Sequence, residues 1–352
     1  SIFKIIILNI FISKMAHSAV CEERYPPDSE ECQYVQELEQ KAEQGDESAQ
    51  FALGSWYAEG RYVKPDYKLA IKWLEKAGKQ GSDFSYFILG YHYNYGENFP
   101  LSRQKALEWY RKAAELGDSS TQEILGDAYM YGDGFPQNTQ LALEWYRRAA
   151  AQGLAEAQDA IGVMFMQGEG VSQDYQQALA WYRKAARQGL PAAQTHLGIM
   201  SAFGRGVAQS DRQAIAWYRK AAKQDFAKAQ YQLGVAYSTG RGVPENSRNA
   251  LKWYLKAAEQ GFTPAQLALG EIYAHGRQGV PKDNKQAYIW YYMASIYTEK
   301  SKDDCSALIA ERNRLKGTLT PDQLSETYAA FDLIRRKINQ SKEAKKIARK
   351  KY

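Results

Sequence analysis

Histidine, cysteine and clustered carboxylates are the side chains that most often carry metal or proton-transfer chemistry. In this chain of 352 residues the histidines and cysteines are few. The histidines are His17, His92, His196 and His275, and the cysteines are Cys21, Cys32 and Cys305. No pair has the spacing of a zinc or helix-borne metal site, so each histidine reads as an ordinary surface or groove residue. The Gly-x-Gly-Val turns, as at Gly168, Gly170 and Val171, are not phosphate loops, because each follows a helical pattern rather than a strand. No Gly-x-Ser-x-Gly or Walker pattern is present. These residues predict no enzyme, no cofactor and no metal. Binding is the chemistry they do suit. Aromatic rings and carboxylates fall on one helical register at Phe87, Tyr91, Tyr95, Glu123, Asp127, Tyr131, Asp159, Phe203 and Tyr231. Exposed rings serve as anchors, and grouped carboxylates favour a ligand bearing Lys or Arg. The alternative is that the rings pack against a neighbouring element and the acids are merely solvated.

The elements that must position these residues are repeats. Trp occurs at 73, 109, 145, 181, 217, 253 and 290, in steps of 36 and finally 37, with Trp56 outside the series. The glycines of a Leu/Ile-Gly pair keep the same phase at 54, 90, 126, 162, 198, 234 and 270. Each unit reads as two helices. The first carries a stripe such as Ala229, Leu233, Gly234 and Tyr237, and the second one such as Ala178, Trp181, Tyr182 and Ala185. The small residues predict close helix approach, with the Trp filling the space beside them. On that reading Trp181→Ala costs roughly 3–5 kcal/mol. Seven residues before each Trp stands an N-cap type: Asp66, Ser102, Asn138, Asp174, Ser210, Asn246 and Asp283. Gly81, Gly117, Gly153, Gly189 and Gly261 close the second helices, and Asp225 replaces glycine once, predicting a strained or differently built end. Relative to the Leu-Gly glycine, positions −5, −1 and +3 are mainly Ala, Leu and Tyr, whereas −3, +1 and +5 vary. The variable positions share one face of the first helix and include every ring and acid named above.

The pattern Ala-x-x-x-Leu-Gly-x-x-Tyr-x-x-Gly-x-Gly-Val, followed by Ala-x-x-Trp-Tyr-x-x-Ala-Ala-x-x-Gly, resembles Sel1-like repeats, relatives of the tetratricopeptide repeats. The resemblance implies an all-α fold: an α-solenoid of seven helix-turn-helix repeats in a right-handed superhelix, with capping helices at both ends. It implies that the variable first-helix face lines a concave groove, and that the protein binds other proteins, often in bacterial envelope or host-contact roles. The paired cysteines of the cysteine-rich members linked to β-lactam binding are missing here, so that activity does not carry over.

The ends differ from the body. Residues 1–20 read as a secretory signal, with Lys4 before the apolar stretch Ile5–Ile12 and small residues at 16–19. A cytoplasmic protein starting at Met15 is the alternative. Residues 21–45 form an N-terminal cap in which Asp28 and Glu31 look like a capping box. Cys21 and Cys32 form a disulfide in an oxidising compartment, or stay thiols in a reducing one. After the repeats at 46–298, residues 299–338 form C-terminal capping helices. Thr320-Pro321-Asp322-Gln323 is a capping box, and Leu324, Tyr328, Phe331 and Ile334 or Ile338 share one apolar face. The stretch 339–352 is a basic tail. Residues 335–352 carry nine positive charges against Glu343, so the rest of the chain is near neutral although the formal total is +6. Such a tail is solvated or makes weak contact with anionic membranes. Together these observations predict a monomeric, non-enzymatic scaffold, periplasmic or secreted. It binds a polypeptide of envelope or host origin in its groove, or as the alternative serves as an immunity protein neutralising a secreted toxin. No nucleic-acid partner is expected, because the repeat Trp residues that could stack on bases are expected to be buried.

Overall fold

The computed structural model describes residues 29–96, 98–277, 279–298 and 306–350. Among these the regular structure is helical, apart from one isolated antiparallel bridge between Arg277 and Val280. The chain divides into two compact units, one ending at Gln173 and the other beginning at Asp174. The first holds α1 (Glu30–Glu43), α2 (Glu47–Glu59), α3 (Tyr67–Lys79), α4 (Asp83–Tyr95), α5 (Arg103–Leu116), α6 (Ser119–Tyr131), α7 (Thr139–Ala151) and α8 (Ala155–Gln167). The second holds α9 (Tyr175–Arg187), α10 (Pro191–Phe203), α11 (Asp211–Ala222), α12 (Ala227–Thr239), α13 (Ser247–Ala258), α14 (Thr263–His275), α15 (Asn284–Thr298), α16 (Ser306–Lys316) and α17 (Pro321–Lys350). Helices pair in sequence, α2 with α3, α4 with α5 and α6 with α7 in the first unit. In the second, α10 pairs with α11, α12 with α13 and α14 with α15. The fold is an all-α solenoid of stacked helical hairpins. The division between units falls between the two helices of the fourth repeat.

The expected N-caps are in place. Asp66 Oδ1 accepts from the backbone N–H of Lys68 and Leu69, Asn138 Oδ1 from Leu141, and Asp283 Oδ1 from Gln286. Ser102, Asp174, Ser210 and Asn246 do the same for their helices. At the end of α11, Asp225 adopts a left-handed backbone with φ of 55°, as Gly189 does after α9 with φ of 93°. Its Oδ1 accepts from Gln230 Nε2 at 3.3 Å, an interaction glycine cannot make.

The core corrects one expectation. The residue after the repeat Trp, a Tyr in all but the first repeat and Leu74 there, fills the space opposite the Leu-Gly glycine. A methyl group at Gly126 would collide with the Tyr146 ring, at Gly90 with Tyr110, and at Gly198 with Tyr218. Tyr110, Tyr146, Tyr182, Tyr218 and Tyr254 are buried, as are Trp73, Trp145 and Trp290, whereas Trp109, Trp181, Trp217 and Trp253 are only half-buried. A cation covers each of these half-buried indoles, as Lys184 covers Trp181 at 3.9 Å from the ring centroid. Trp and Tyr are adjacent in sequence and so lie about 100° apart on the helix. The Tyr faces the glycine, while the Trp lies to one side, as Trp109 does against Tyr86.

A set of glutamines joins neighbouring repeats. Gln122, four residues before Gly126, donates to Ala114 O of the preceding repeat at 3.0 Å and accepts from Gln152 at 3.0 Å. Gln50, Gln194 and Gln230 accept in the same way from Gln80, Gln224 and Gln260. One junction is built differently. Tyr86 stands where Gln50 and Gln122 stand in their repeats, Gly78 replaces the second Ala of the Ala-Ala pair, and Leu116 replaces the donor glutamine. A Cβ on Gly78 would lie 2.5 Å from the Tyr86 ring, so the larger side chain on one helix and the smaller residue on the other are matched.

Both ends are capped. Tyr57 donates to the buried Glu39 of α1 at 3.2 Å, and Tyr34 packs on Trp56, the tryptophan outside the series. The N-cap of α1 is Ser29, whose Oγ accepts from Cys32 N, one residue beyond the expected Asp28. Cys32 is fully buried and disulfide-bonded. Cys21, the partner expected for it, lies outside the described residues, as do Asp28, the signal segment and Cys305. At the other end Thr320 and Gln323 bond reciprocally, at 3.0 and 3.3 Å. Phe331 stacks on Tyr292 at 4.1 Å, and Ile338 is fully buried against the end of α13 near Gly261. Helix α17 runs on through Lys350.

Candidate partner-binding face

The variable register of the first helices is graded rather than uniformly open. The +5 positions stand out from the surface: Tyr95 is 50% exposed, Tyr131 74% and Phe203 57%. The +1 positions Tyr91 and Asp127 are half-buried. The −3 positions turn inward. Phe87 lies against Tyr110 at 5.8 Å, Tyr231 against Tyr254 and Phe262, and Asp159 is buried. Thr195, at the same position, is fully buried with Oγ1 donating to Pro191 O at 2.8 Å. Helix geometry explains the gradient, since the first turn of each first helix meets the preceding repeat while the last turn projects past the hairpin.

In the first unit these positions lie on α4 and α6. Phe84 stacks on Phe87 with the planes 10° apart, and Tyr91 meets Tyr95 at 4.6 Å. On α6, Asp127 accepts a 2.6 Å hydrogen bond from Tyr146 Oη. Burial raises the carboxyl pKa of Asp127, and the Tyr146 bond and the Arg103 charge only partly oppose it. The phenol of Tyr146 is raised as well, by burial first and then by its bond to Asp127, with Tyr131 and Glu123 adding to the effect. Tyr131 is raised by partial burial and by Asp127 and Glu169. So Asp127, Glu123 and Tyr131 form one electrostatic neighbourhood.

Two contributors were missed in the sequence. Arg103 bridges the repeats, donating from Nη1 to Asn94 Oδ1 at 2.9 Å and pairing with Asp133 Oδ2 at 2.7 Å. Phe84 is 53% exposed at the start of α4. Neither lies on the variable register, so register counting passes over them. Phe203 and Tyr231 belong to the second unit and are a separate pair of positions. Arg205 and Arg241 both lie over the Phe203 ring, at 5.4 and 5.7 Å.

The remaining histidines are dispersed. His92 is buried and stacks on Phe99 at 5.0 Å, His196 lies against Tyr182, and His275 Nδ1 is 3.1 Å from Glu271 O. Among the described residues no cluster of His, Cys, Asp and Glu has the arrangement of a metal site. No described helix is long and apolar enough to cross a membrane.

The repeats match the family model described as Sel1 repeat at residues 47–82, 84–118, 119–154, 155–190, 191–226, 227–262 and 263–295. No protein with a curated description matches the chain. Among solved structures, a Sel1 repeat protein from Oxalobacter formigenes is 35% identical with a TM-score of 0.67, over 80% of this chain and 79% of that one. A protective antigen present in uropathogenic Escherichia coli strains, displaying an SLR fold, is 32% identical with a TM-score of 0.63 over 88% of this chain. The chain spans 64% of that protein's length.

Proposed function

The chain belongs to the Sel1 repeat family, whose members generally mediate protein–protein interactions, and from that premise we propose that it is a non-enzymatic scaffold that binds an extended polypeptide across α4 and α6. The observation that carries this reading is the pairing of outstanding rings with a costly carboxylate. Tyr95 and Tyr131 expose large aromatic area, and one turn before Tyr131 Asp127 keeps an ionisable group where burial penalises its charge. Unpaired surface acids are inexpensive, whereas a half-buried one that opposes folding suits a ligand-facing role. The matching ligand is a segment with Lys or Arg flanked by apolar side chains. Phe87 supports this face from beneath, with Glu123 widening its negative potential. Phe203 and Tyr231 offer a second contact on the other unit. The reading includes an exported protein with a disulfide between Cys21 and Cys32, acting in the envelope or on a host.

Selection of a random peptide library against the full chain tests the reading. Enriched peptides should carry Lys or Arg beside an apolar residue and lose affinity for Tyr95→Ala/Tyr131→Ala. Enrichment of peptides indifferent to that variant would overturn the placement. Capture of a secreted toxin on the same face would replace the envelope or host partner with the immunity role.

A further inference from the structure

The second helices of the second unit carry a surface that the peptide-binding reading does not use. Along α9, α11 and α13 a lysine lies over each repeat indole: Lys184 over Trp181 at 3.9 Å, Lys220 over Trp217 at 4.3 Å and Lys256 over Trp253 at 5.1 Å. Arg183, Arg187, Lys223 and Lys252 are exposed beside them. Acids on these helices stand only at the ends and are engaged there. Asp174 caps α9, Asp211 pairs with Arg241 at 3.2 Å, Asp225 accepts from Gln230, and Glu259 pairs with Lys337 at 2.9 Å. Gln224 donates to Gly189 O at 2.9 Å and ties the end of α11 to that of α9.

The first unit carries a version of this surface in which acids are mixed among the cations. Its second helices carry the same Lys-on-Trp arrangement, with Lys112 at 3.9 Å from Trp109. There, however, Glu75, Glu108, Glu115 and Glu144 are interspersed. Lys112 and Lys79 both reach Glu75, at 3.6 and 3.5 Å, and Arg111 reaches Glu115 at 3.2 Å. The residue before the Trp is Lys72, Glu108 or Glu144 in the first unit, and Ala180, Ala216, Lys252 or Ile289 in the second.

We propose that the outward face of α9, α11 and α13 is a docking surface for an anionic lipid bilayer. The face combines uncompensated Lys and Arg on long stems with half-buried indoles, the side-chain pairing of interfacial belts. Mobile anionic headgroups rearrange to meet cations that the indoles hold in place. Nucleic acid fits less well, because the indole faces are already occupied by ammonium groups and leave no open platform for bases.

Sedimentation of the full chain with vesicles of phosphatidylcholine, with and without phosphatidylglycerol, tests this. The chain should partition onto the anionic vesicles only, less as salt rises. Lys184→Gln/Lys220→Gln/Lys256→Gln should lower that partitioning by about tenfold, while the three corresponding Lys→Arg changes keep it within about twofold. Lys76→Gln/Lys112→Gln/Arg148→Gln removes the same charge and the same indole contacts from the first unit, and should also leave it within about twofold. Circular dichroism checks that each variant is folded. No partitioning by the unmodified chain would overturn the proposal. So would equal losses in the two glutamine variants, which would assign the effect to bulk charge, or tighter binding to a DNA duplex than to the anionic vesicles.

Discussion

Asp127 carries a charge that the fold penalises, which is what a ligand-facing role proposed for it would require. Its folded carboxyl holds the proton more tightly than an unfolded one, because burial outweighs the Tyr146 bond and the Arg103 charge. The folded state therefore gains relative stability from this group as pH falls from neutrality into the carboxylate range. It loses that stability as pH rises through the folded pKa. Asp127→Asn should flatten this part of the stability profile in calorimetry at stepped pH, with no loss of stability at pH 7. A marked loss at pH 7 would mean that the carboxylate holds the fold together. Asp225 makes a second case, since its left-handed backbone favours glycine and only the Gln230 bond offsets the strain. Asp225→Gly should raise stability by up to about 1 kcal/mol in urea unfolding. The caps were readable in the sequence, because a cap needs one side chain and a backbone N–H two or three residues on. The Tyr146–Asp127 bond was not, because its partners stand 19 residues apart on different helices.

Between helices, the decisive contact is the tyrosine opposite the Leu-Gly glycine. Tyr146→Ala should cost about 3–5 kcal/mol, because its ring is fully buried against Gly126. Trp181→Ala should cost less, about 1–2 kcal/mol, because its indole is half-buried beneath Lys184. The reverse order in denaturant unfolding would contradict the packing described. The junction of the first two repeats gives a sharper test. Gly78→Ala installs the residue found at this place in the other Ala-Ala pairs, yet it should destabilise by about 1–3 kcal/mol by striking Tyr86. Adding Tyr86→Gln and Leu116→Gln should recover most of the loss by rebuilding the glutamine link. Helical spacing placed both Trp and Tyr on the buried side, but it does not say which of two adjacent residues faces a glycine on another helix. The glutamines do recur every 36 residues. Their role was illegible because a buried amide looks like any surface glutamine until the carbonyl it bonds is known.

Over the whole molecule, the repeat made the solenoid legible, since three registers in phase leave few other ways to bury the apolar stripes. The division at Gln173 left no such mark, because the fourth repeat keeps the full motif. Charge also has to be read by location. Residues 335–352 carry +8 and the rest of the chain −2, yet within the body one unit intersperses glutamates among its second-helix cations and the other does not. Two faces with different chemistry result, an aromatic and acidic one on α4 and α6 and a basic one on α9, α11 and α13. The central claim is that the first of these binds polypeptide. Titration calorimetry of a library-selected peptide against the full chain and against Tyr95→Ala/Tyr131→Ala tests it most directly. The account predicts that the variant, folded by circular dichroism, binds at least about tenfold more weakly. Equal affinity for the two proteins would contradict it.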